Sequence, residues 1–271
     1  MRTVGIVGNL SRDRLDGGRP RIGGAPYYAG RALRTLGRRG VLVTKSADAD
    51  RRSLLTPLVC LGLPVLWRAA GTTAAFTIEY DGDERRMVVE AVGDPWSPDD
   101  ARGWVARALA GVEWLHVAPL ARTDFPAETL AELARGRRIS LDGQGLVRPG
   151  RPGPLELDAD YDPDLLRFVS ILKLAEEEAG LLVEGLDERS LRLLGVPEVV
   201  VTLGSRGSVV FADGLAEHVP ARAVRADVDP TGAGDAFAAV YLAVRAGGSA
   251  PLGAARRASS LVADLLEGRA S

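Results

Sequence analysis

The chain has 271 residues, with 34 Lys plus Arg against 36 Asp plus Glu and a formal net charge of −2, which excludes a strongly basic nucleic-acid binder as the default. At 46% hydrophobic and 26% charged it is a folding chain of ordinary composition, of a length that α/β folds often use as one domain. One cysteine (Cys60) and two histidines (His116, His218) exclude an internal disulfide and leave little from which to build a zinc site.

The chain opens on a short apolar run, Thr3 to Gly8, that reads as a buried parallel strand and turns polar too soon for a signal peptide. A Gly-, Arg- and Asp-rich stretch to Gly24 reads as loop. Pro26 to Leu36 reads as a helix, with Pro in its first turn and Gly37 at its end. Val41 to Thr44 is a second strand and Arg51 to Leu61 a second helix. From Trp67 to Val92 the period changes to two: Phe76, Ile78 and Tyr80 alternate with Thr77 and Glu79, Asp81-Gly82 turns the chain, and Met87, Val89 and Ala91 return. This hairpin, with about 11–21, is expected to form a small lid over a parallel sheet.

Strand and helix then alternate. Ser97-Pro98-Asp99-Asp100 is an N-cap signal for a helix to about Leu109. Trp114 to Ala118, Ile139 to Asp142 and Val169 to Leu172 read as strands, and Val199 to Leu203 as a central one that Ser208 to Phe211 pairs nearby. Helices fit Pro126 to Arg135, Glu176 to Leu182, Glu188 to Leu194, Gly232 to Ala246 and Leu252 to Leu266. Repeated β-α units give an α/β fold with a mostly parallel sheet between helical layers. The longest apolar runs fall well short of the roughly 18 residues that span a bilayer. The expected location is the cytoplasm.

The segment richest in chemistry is Asp229-Pro230-Thr231-Gly232-Ala233-Gly234-Asp235. Gly232 and Gly234 let backbone amides approach a ligand closely, and they precede a helix whose N-terminus favours an anion. Asp235, in the first helical turn, is placed to deprotonate a hydroxyl beside that anion. A cradle plus a carboxylate base is what phosphoryl transfer to an alcohol requires. The competing nucleotide motifs GxxxxGK[ST] and GxGxxG after a strand are absent.

DPTGAGDAF resembles the DTxGAGD signature of the ribokinase family, the PfkB-type carbohydrate kinases. Gly23-Gly24-Ala25-Pro26-Tyr27-Tyr28-Ala29 is similar to the family's GGxxxNxA segment, and Gly8 to Asp13 to its first strand and substrate loop. Val201 to Gly207 is similar to its nucleotide loop, and Lys173 with Glu176, Glu177 and Glu178 to its KxNxxE segment. The resemblance implies one three-layer ribokinase-like domain over 1–271 with an antiparallel β-lid. It implies ATP and Mg2+ as cofactors, and a small sugar, polyol or nucleoside as the partner bound. By resemblance Asp235 is the base, and the amides of Gly232, Ala233 and Gly234 are the anion hole. Asp13, Gly23, Gly24, Tyr28, Gln144 and Arg148 would meet the acceptor. Thr202, Gly204, Ser205, Gly207, Asp229, Thr231 and Ser259 would serve the nucleotide, and Glu178 would act on magnesium through water.

The chain departs from the family pattern in four places. Pro230 takes the usual Thr position of the signature, Tyr28 replaces an Asn, and Ala175 stands where NxxE has Asn. Asp142-Gly143-Gln144 replaces DxN, with Arg148 two residues late. The missing asparagines follow either a different acceptor or the chain-wide scarcity of amides, since Asn9 is the sole asparagine and Gln144 the sole glutamine. DxQGxxR is similar to relatives assigned to myo-inositol and nucleoside phosphorylation, and a Gln amide both donates and accepts to vicinal hydroxyls.

The bland readings are His116 as a hydrogen-bonded core or edge residue, His218 at the surface, and Cys60 as a small buried apolar residue. Trp67, Trp96, Trp104 and Trp114 read as core or lid packing, and the Arg pairs 137–138 and 256–257 as solvated faces. The leading expectation is a kinase acting on a polyol hydroxyl. Alternatives are a nucleoside kinase, a myo-inositol kinase, or a family member that binds without turnover. The hairpin's apolar face needs cover, from the site or from a second lid in a homodimer.

Overall fold

A computed structural model of the protein describes residues 2–81, 84–225 and 228–269. The chain runs β1 (Val4–Asn9), β2 (Ser11–Leu15), β3 (Arg21–Gly23), α1 (Ala25–Thr35), β4 (Gly40–Ala47), α2 (Arg51–Val59), β5 (Val65–Ala70), β6 (Ala74–Asp81) and β7 (Glu84–Ala91). Next, α3 (Pro98–Asp100) continues through a π turn into α4 (Ala106–Ala108), followed by β8 (Trp114–Val117), α5 (Ala127–Ala134), β9 (Arg138–Asp142), α6 (Gln144–Val147) and β10 (Gly153–Pro154). The rest is β11 (Ile171–Ala175), α7 (Glu176–Leu182), α8 (Glu188–Arg192), β12 (Glu198–Thr202), β13 (Ser208–Ala212), β14 (Leu215–Val219), α9 (Ala233–Ala246) and α10 (Pro251–Leu266).

The main sheet has nine strands in the order β14-β13-β12-β11-β9-β8-β1-β4-β5. Its seven strands from β12 to β5 pair in parallel, and β13 and β14 run antiparallel at one edge. The parallel strands are apolar on both faces because both are covered. Val4 and Ile6 pack with α1, α9 and α10, whereas Val7, Leu115 and Val117 pack toward α5 and the 98–108 helix. The result is the expected three-layer α/β/α arrangement. β12 lies third from an edge rather than at the centre, because only β13 and β14 extend the sheet beyond it.

The lid is a second sheet of five strands, in the order β10-β7-β6-β2-β3. Its composition corrects the sequence reading in three places. The stretch read as loop supplies β2 and β3, whose polar residues alternate in and out (Ser11 and Asp13 buried, Arg12 and Arg14 exposed). The segment from Val65 to Ala70 belongs to the main sheet as a parallel partner of β4, since it follows a helix and closes a β-α-β crossover. The two-residue β10 is too short to leave a periodic signal. The Gly82 turn and the Tyr80 side chain fall outside the described residues. The hairpin's apolar residues Phe76, Ile78 and Val89 are buried together with Leu120, so their cover comes from within the molecule. Cys60 is exposed, not buried: α2 presents Leu54 and Leu58 to the core, and Cys60 caps its end off that stripe. Among the described residues no helix is long and apolar enough to cross a membrane.

β8 contributes to the cores on both faces of the main sheet, and its Leu115 is fully buried and fills the space over Gly5. Leu115→Ala is expected to cost about 2–5 kcal/mol of stability. Urea unfolding followed by circular dichroism would show this as a lower midpoint at unchanged slope.

Candidate active site

Site residues stand at the C-terminal ends of the parallel strands, where the lid overhangs the sheet. α9 begins at Ala233, preceded by Gly232 in a left-handed conformation (φ 77°) that a side chain rarely adopts. A methyl group there would also collide with the Tyr28 ring. The turn before it is tied internally. Asp229 Oδ1 accepts from the Thr231 N–H at 2.9 Å and from the Thr231 hydroxyl at 2.5 Å, an Asx turn. The Ala233 N–H donates to the Pro230 carbonyl (3.0 Å), so of the three expected anion-hole amides this one is shared within the turn. The amides at a helix start, Gly234 among them, have no intrahelical acceptor and are available to an anion.

Beneath this loop lies a cluster of buried charge. Lys173 on β11 and Asp142 on β9 are neighbours across two parallel strands and form an ion pair at 3.4 Å, both buried. Glu178 is buried beside them and accepts the Ala175 N–H at 2.7 Å. Burial pulls the Lys173 ammonium down, but Asp142, Glu178 and Asp235 outweigh it and hold it above its ordinary range. Burial pushes Glu178 up, with Lys173 in partial opposition. Asp235 is pushed up to about 7, first by burial and then by the Asp142 charge, against the pull of Lys173 and Arg148. A carboxyl poised near neutrality is a group that can exchange a proton at physiological pH.

Two cavities meet at the loop. One, of about 540 Å³, has Ser11, Asp13, Gly24 and Tyr28 on one side and Gln144, Arg148, Lys173 and Glu178 on the other, with Phe76, Ile78, Met87 and Leu120 along it and Asp235 at its end. The other, of about 560 Å³, is largely apolar, with Phe237, Val262 and Leu266 in its wall beside Ser205, Gly207 and Ser259. Thr202, Gly204, Pro230 and Gly234 border both. Of the residues read from the sequence, Asp13, Gly24, Tyr28, Gln144 and Arg148 line the first chamber and Ser205, Gly207 and Ser259 the second, but Thr202 and Gly204 border both and Thr231, expected at the nucleotide, lines the first beside Asp235.

Two expected residues support the chambers without lining them. A methyl at Gly23 would collide with the Asp13 carboxylate, so its lack of a side chain makes room for Asp13. Asp229 holds Thr231 and lies outside both chambers; partial burial pushes its pKa up, but the Thr231 hydrogen bonds and Arg21 outweigh this and leave its carboxyl below the usual range. Tyr28 is pushed up to about 12, mainly by burial, and stays a neutral phenol. Asn9 is buried behind the acceptor chamber and donates to the Asp94 carbonyl at 3.1 Å.

The readings of both histidines and of Trp96 as structural hold, whereas Cys60 is exposed and Arg137 is not on a solvated face but half-buried, donating to the Val112 and Leu133 carbonyls. His116 is fully buried against the Ser140 hydroxyl (3.1 Å), with burial lowering it to about 4. His218 is exposed. Trp96 stacks between Trp104 and Phe125 in the core. The expected site residues omitted Ser11, Lys173, Leu120 and the lid residues Phe76, Ile78 and Met87. Lys173 was legible in the KxNxxE-like segment and as one of two lysines among 34 basic residues, Ser11 within the Gly8–Asp13 loop, and Phe76, Ile78 and Met87 in the alternating hairpin, whereas Leu120 carried no signal.

A family model, described as pfkB family carbohydrate kinase, matches residues 29–265. The chain belongs to the pfkB family of carbohydrate kinases. Among curated relatives it is 32% identical to a cytidine kinase of Thermococcus kodakarensis over 137 residues (47% of this chain, 46% of the relative). It is 35% identical to the bifunctional protein HldE of Alcanivorax borkumensis over 89 residues (32% and 18%). The chain thus matches less than half the length of either. Among solved structures it resembles a pyrophosphate-dependent kinase of the ribokinase family, complexed with a pyrophosphate analog and myo-inositol (TM-score 0.82, 23% identity, 97% of this chain and 94% of that one). It also resembles Arabidopsis thaliana ribokinase complexed with ribose and ATP (TM-score 0.73, 18% identity, 98% and 92%). At those identities the likeness concerns the fold alone.

The contact between Gly232 and Tyr28 is specific enough to test. Gly232→Ala is expected to cost about 1–3 kcal/mol from the left-handed backbone alone. Tyr28→Ala in the same chain should restore the part due to the collision, a non-additivity that thermal denaturation of the two single variants and the double variant would reveal.

Proposed function

We propose that this pfkB-family chain is an ATP-dependent kinase that phosphorylates a hydroxyl of a small polyol or sugar. One observation carries the reading: Asp235, raised to about 7, stands where a polar chamber and an apolar chamber meet at a helix N-terminus. In this mechanism the acceptor lies between Asp13 and Gln144 with one hydroxyl at Asp235. The Asp235 carboxylate takes the hydroxyl proton as the oxygen attacks the terminal phosphorus of the donor, the bond from that phosphorus to the bridging oxygen breaks and ADP leaves, and the main-chain amides at the start of α9 stabilise the charge on the migrating phosphoryl group. The lid excludes water, which limits loss of the donor to hydrolysis.

The apolar wall of Phe237, Val262 and Leu266 favours a donor with an aromatic base over inorganic pyrophosphate, which has nothing to bury there. For magnesium, no group of three His, Cys, Asp or Glu side chains converges as a cage among the described residues. That suits an ion that keeps its waters and binds mainly through substrate phosphates, with Glu178 holding it through water. Magnesium supplies charge neutralisation of the donor phosphates when bound.

A nucleoside acceptor is the second reading. The apolar lid residues Phe76, Ile78 and Met87 and the Tyr28 ring offer a surface that a base would cover and a polyol would not. The myo-inositol alternative is a special case of a polyol acceptor, whose adjacent ring hydroxyls suit Asp13 and the Gln144 amide. A member that binds without turnover is disfavoured by a carboxyl tuned to neutrality.

A coupled assay with ribose, fructose, myo-inositol, cytidine and adenosine, using ATP or pyrophosphate as donor, tests the reading. ATP-dependent turnover of at least one polyol or sugar is expected, and Asp235→Asn should lower kcat by about 10²–10⁴-fold. Unchanged turnover in that variant would overturn the role of Asp235. Because Asp235 acts deprotonated and its pKa is raised to about 7, kcat/KM should approach its plateau above pH 7. It should fall tenfold per pH unit below about 7, and a flat profile from pH 5 to 8 would contradict the base.

A further inference from the structure

The lid touches the phosphate loop through a side chain outside every motif read from the sequence. Arg21 lies on β3, the edge strand of the lid sheet, directly opposite Asp13 on β2. Its guanidinium reaches across to the loop, donating to Asp229 Oδ2 at 3.2 and 3.3 Å and to the Thr231 hydroxyl at 3.1 Å. Asp229 is thereby held through both oxygens, since its Oδ1 already accepts from the Thr231 amide and hydroxyl. Arg21, Asp229 and Thr231 close a hydrogen-bonded ring that stands immediately before Gly232. The Tyr28 ring, packed against Gly232, lies beside the same guanidinium.

We infer that Arg21 is a positioning residue that couples acceptor capture by the lid to the setting of the phosphate loop. The inference rests on the kinase reading of 229–235. An acceptor held by Asp13 steadies β2, and β2 steadies its partner β3. Arg21 then fixes Asp229 and Thr231, so that the amides following Gly232 are set before the donor arrives. The ion pair is substantially exposed (38% and 51%), and pairs of that exposure add little to fold stability. Its consequence is therefore a coupling between two binding events, and such coupling is reciprocal.

The test compares the wild-type protein with Arg21→Met and Arg21→Lys. Calorimetry measures the dissociation constant of a non-hydrolysable ATP analogue with and without a saturating panel acceptor. In the wild type the acceptor should tighten the analogue by about 5–150-fold, the usual span of such coupling. In Arg21→Met that factor should fall to within about twofold of unity, with little change in Tm. Arg21→Lys keeps the charge but loses the two-pronged geometry, and should give an intermediate factor. A coupling factor in Arg21→Met equal to that of the wild type overturns the inference, as does absence of coupling in the wild type. A loss of analogue affinity that is the same with and without acceptor would mark Arg21 as merely structural and overturn it too. Amide hydrogen exchange over 229–235 in the unliganded proteins gives a readout independent of turnover. Exchange should be faster in Arg21→Met, and unaltered exchange counts against the latch even if the kinase assay succeeds. Failure of the acceptor panel alone would instead overturn the kinase reading.

Discussion

Three buried or half-buried carboxyls around a single buried ammonium is the constraint on which the site depends. Lys173 pairs with Asp142 at 3.4 Å and lies within electrostatic reach of Glu178 and Asp235. Charges this far from solvent persist only when paired. Lys173 and Arg148 together do not offset burial and the Asp142 charge at Asp235, which is left with the proton affinity of a base that works near neutrality. A lysine suits this place because a compact point charge can face several carboxylates at once, whereas an arginine fork matches one in a plane. The other lysine, Lys45, is likewise buried, against Asp100 and over the Trp96 ring.

Around that cluster the fold does two separate jobs. The parallel sheet brings the ends of β9, β11 and β12 side by side, which sets Asp142 opposite Lys173 and Thr202 two residues further along, opposite Ala175. The lid adds Asp13 and an apolar wall from the opposite side. The two meet at the turn before α9, where Gly232 accepts a backbone conformation and a close approach of Tyr28 that no side chain would permit. Chemistry and specificity are thus carried by different sheets, and the loop between them is tied to both.

Much of this was legible beforehand. The repeated β-α units, the capped start of the 98–108 helix and the glycines leading into α9 are local signals, and their elements appear where the residues put them. The errors have a common form. The 65–70 segment has the same alternation as the hairpin that follows, and only its partner, β4, makes it part of the main sheet. The residues of β2 and β3 carry the turn-prone Gly, Pro and Asp of a loop, yet they pair because β6 offers an edge. Cys60 looked buried by residue type, but the helix that ends there turns it outward.

By itself the sequence determined the layered architecture, the helix-start loop and the family, because periodicity, turn chemistry and short motifs are properties of neighbouring residues. Only the tertiary structure decided which strands form the lid, that Lys173 sits amid three carboxyls, and that Arg21 reaches Asp229 over more than two hundred positions of chain. Pairings of that span depend on how the sheets are threaded. Electrostatic environment depends on what the whole fold excludes from water, and neither property resides in any segment of the chain.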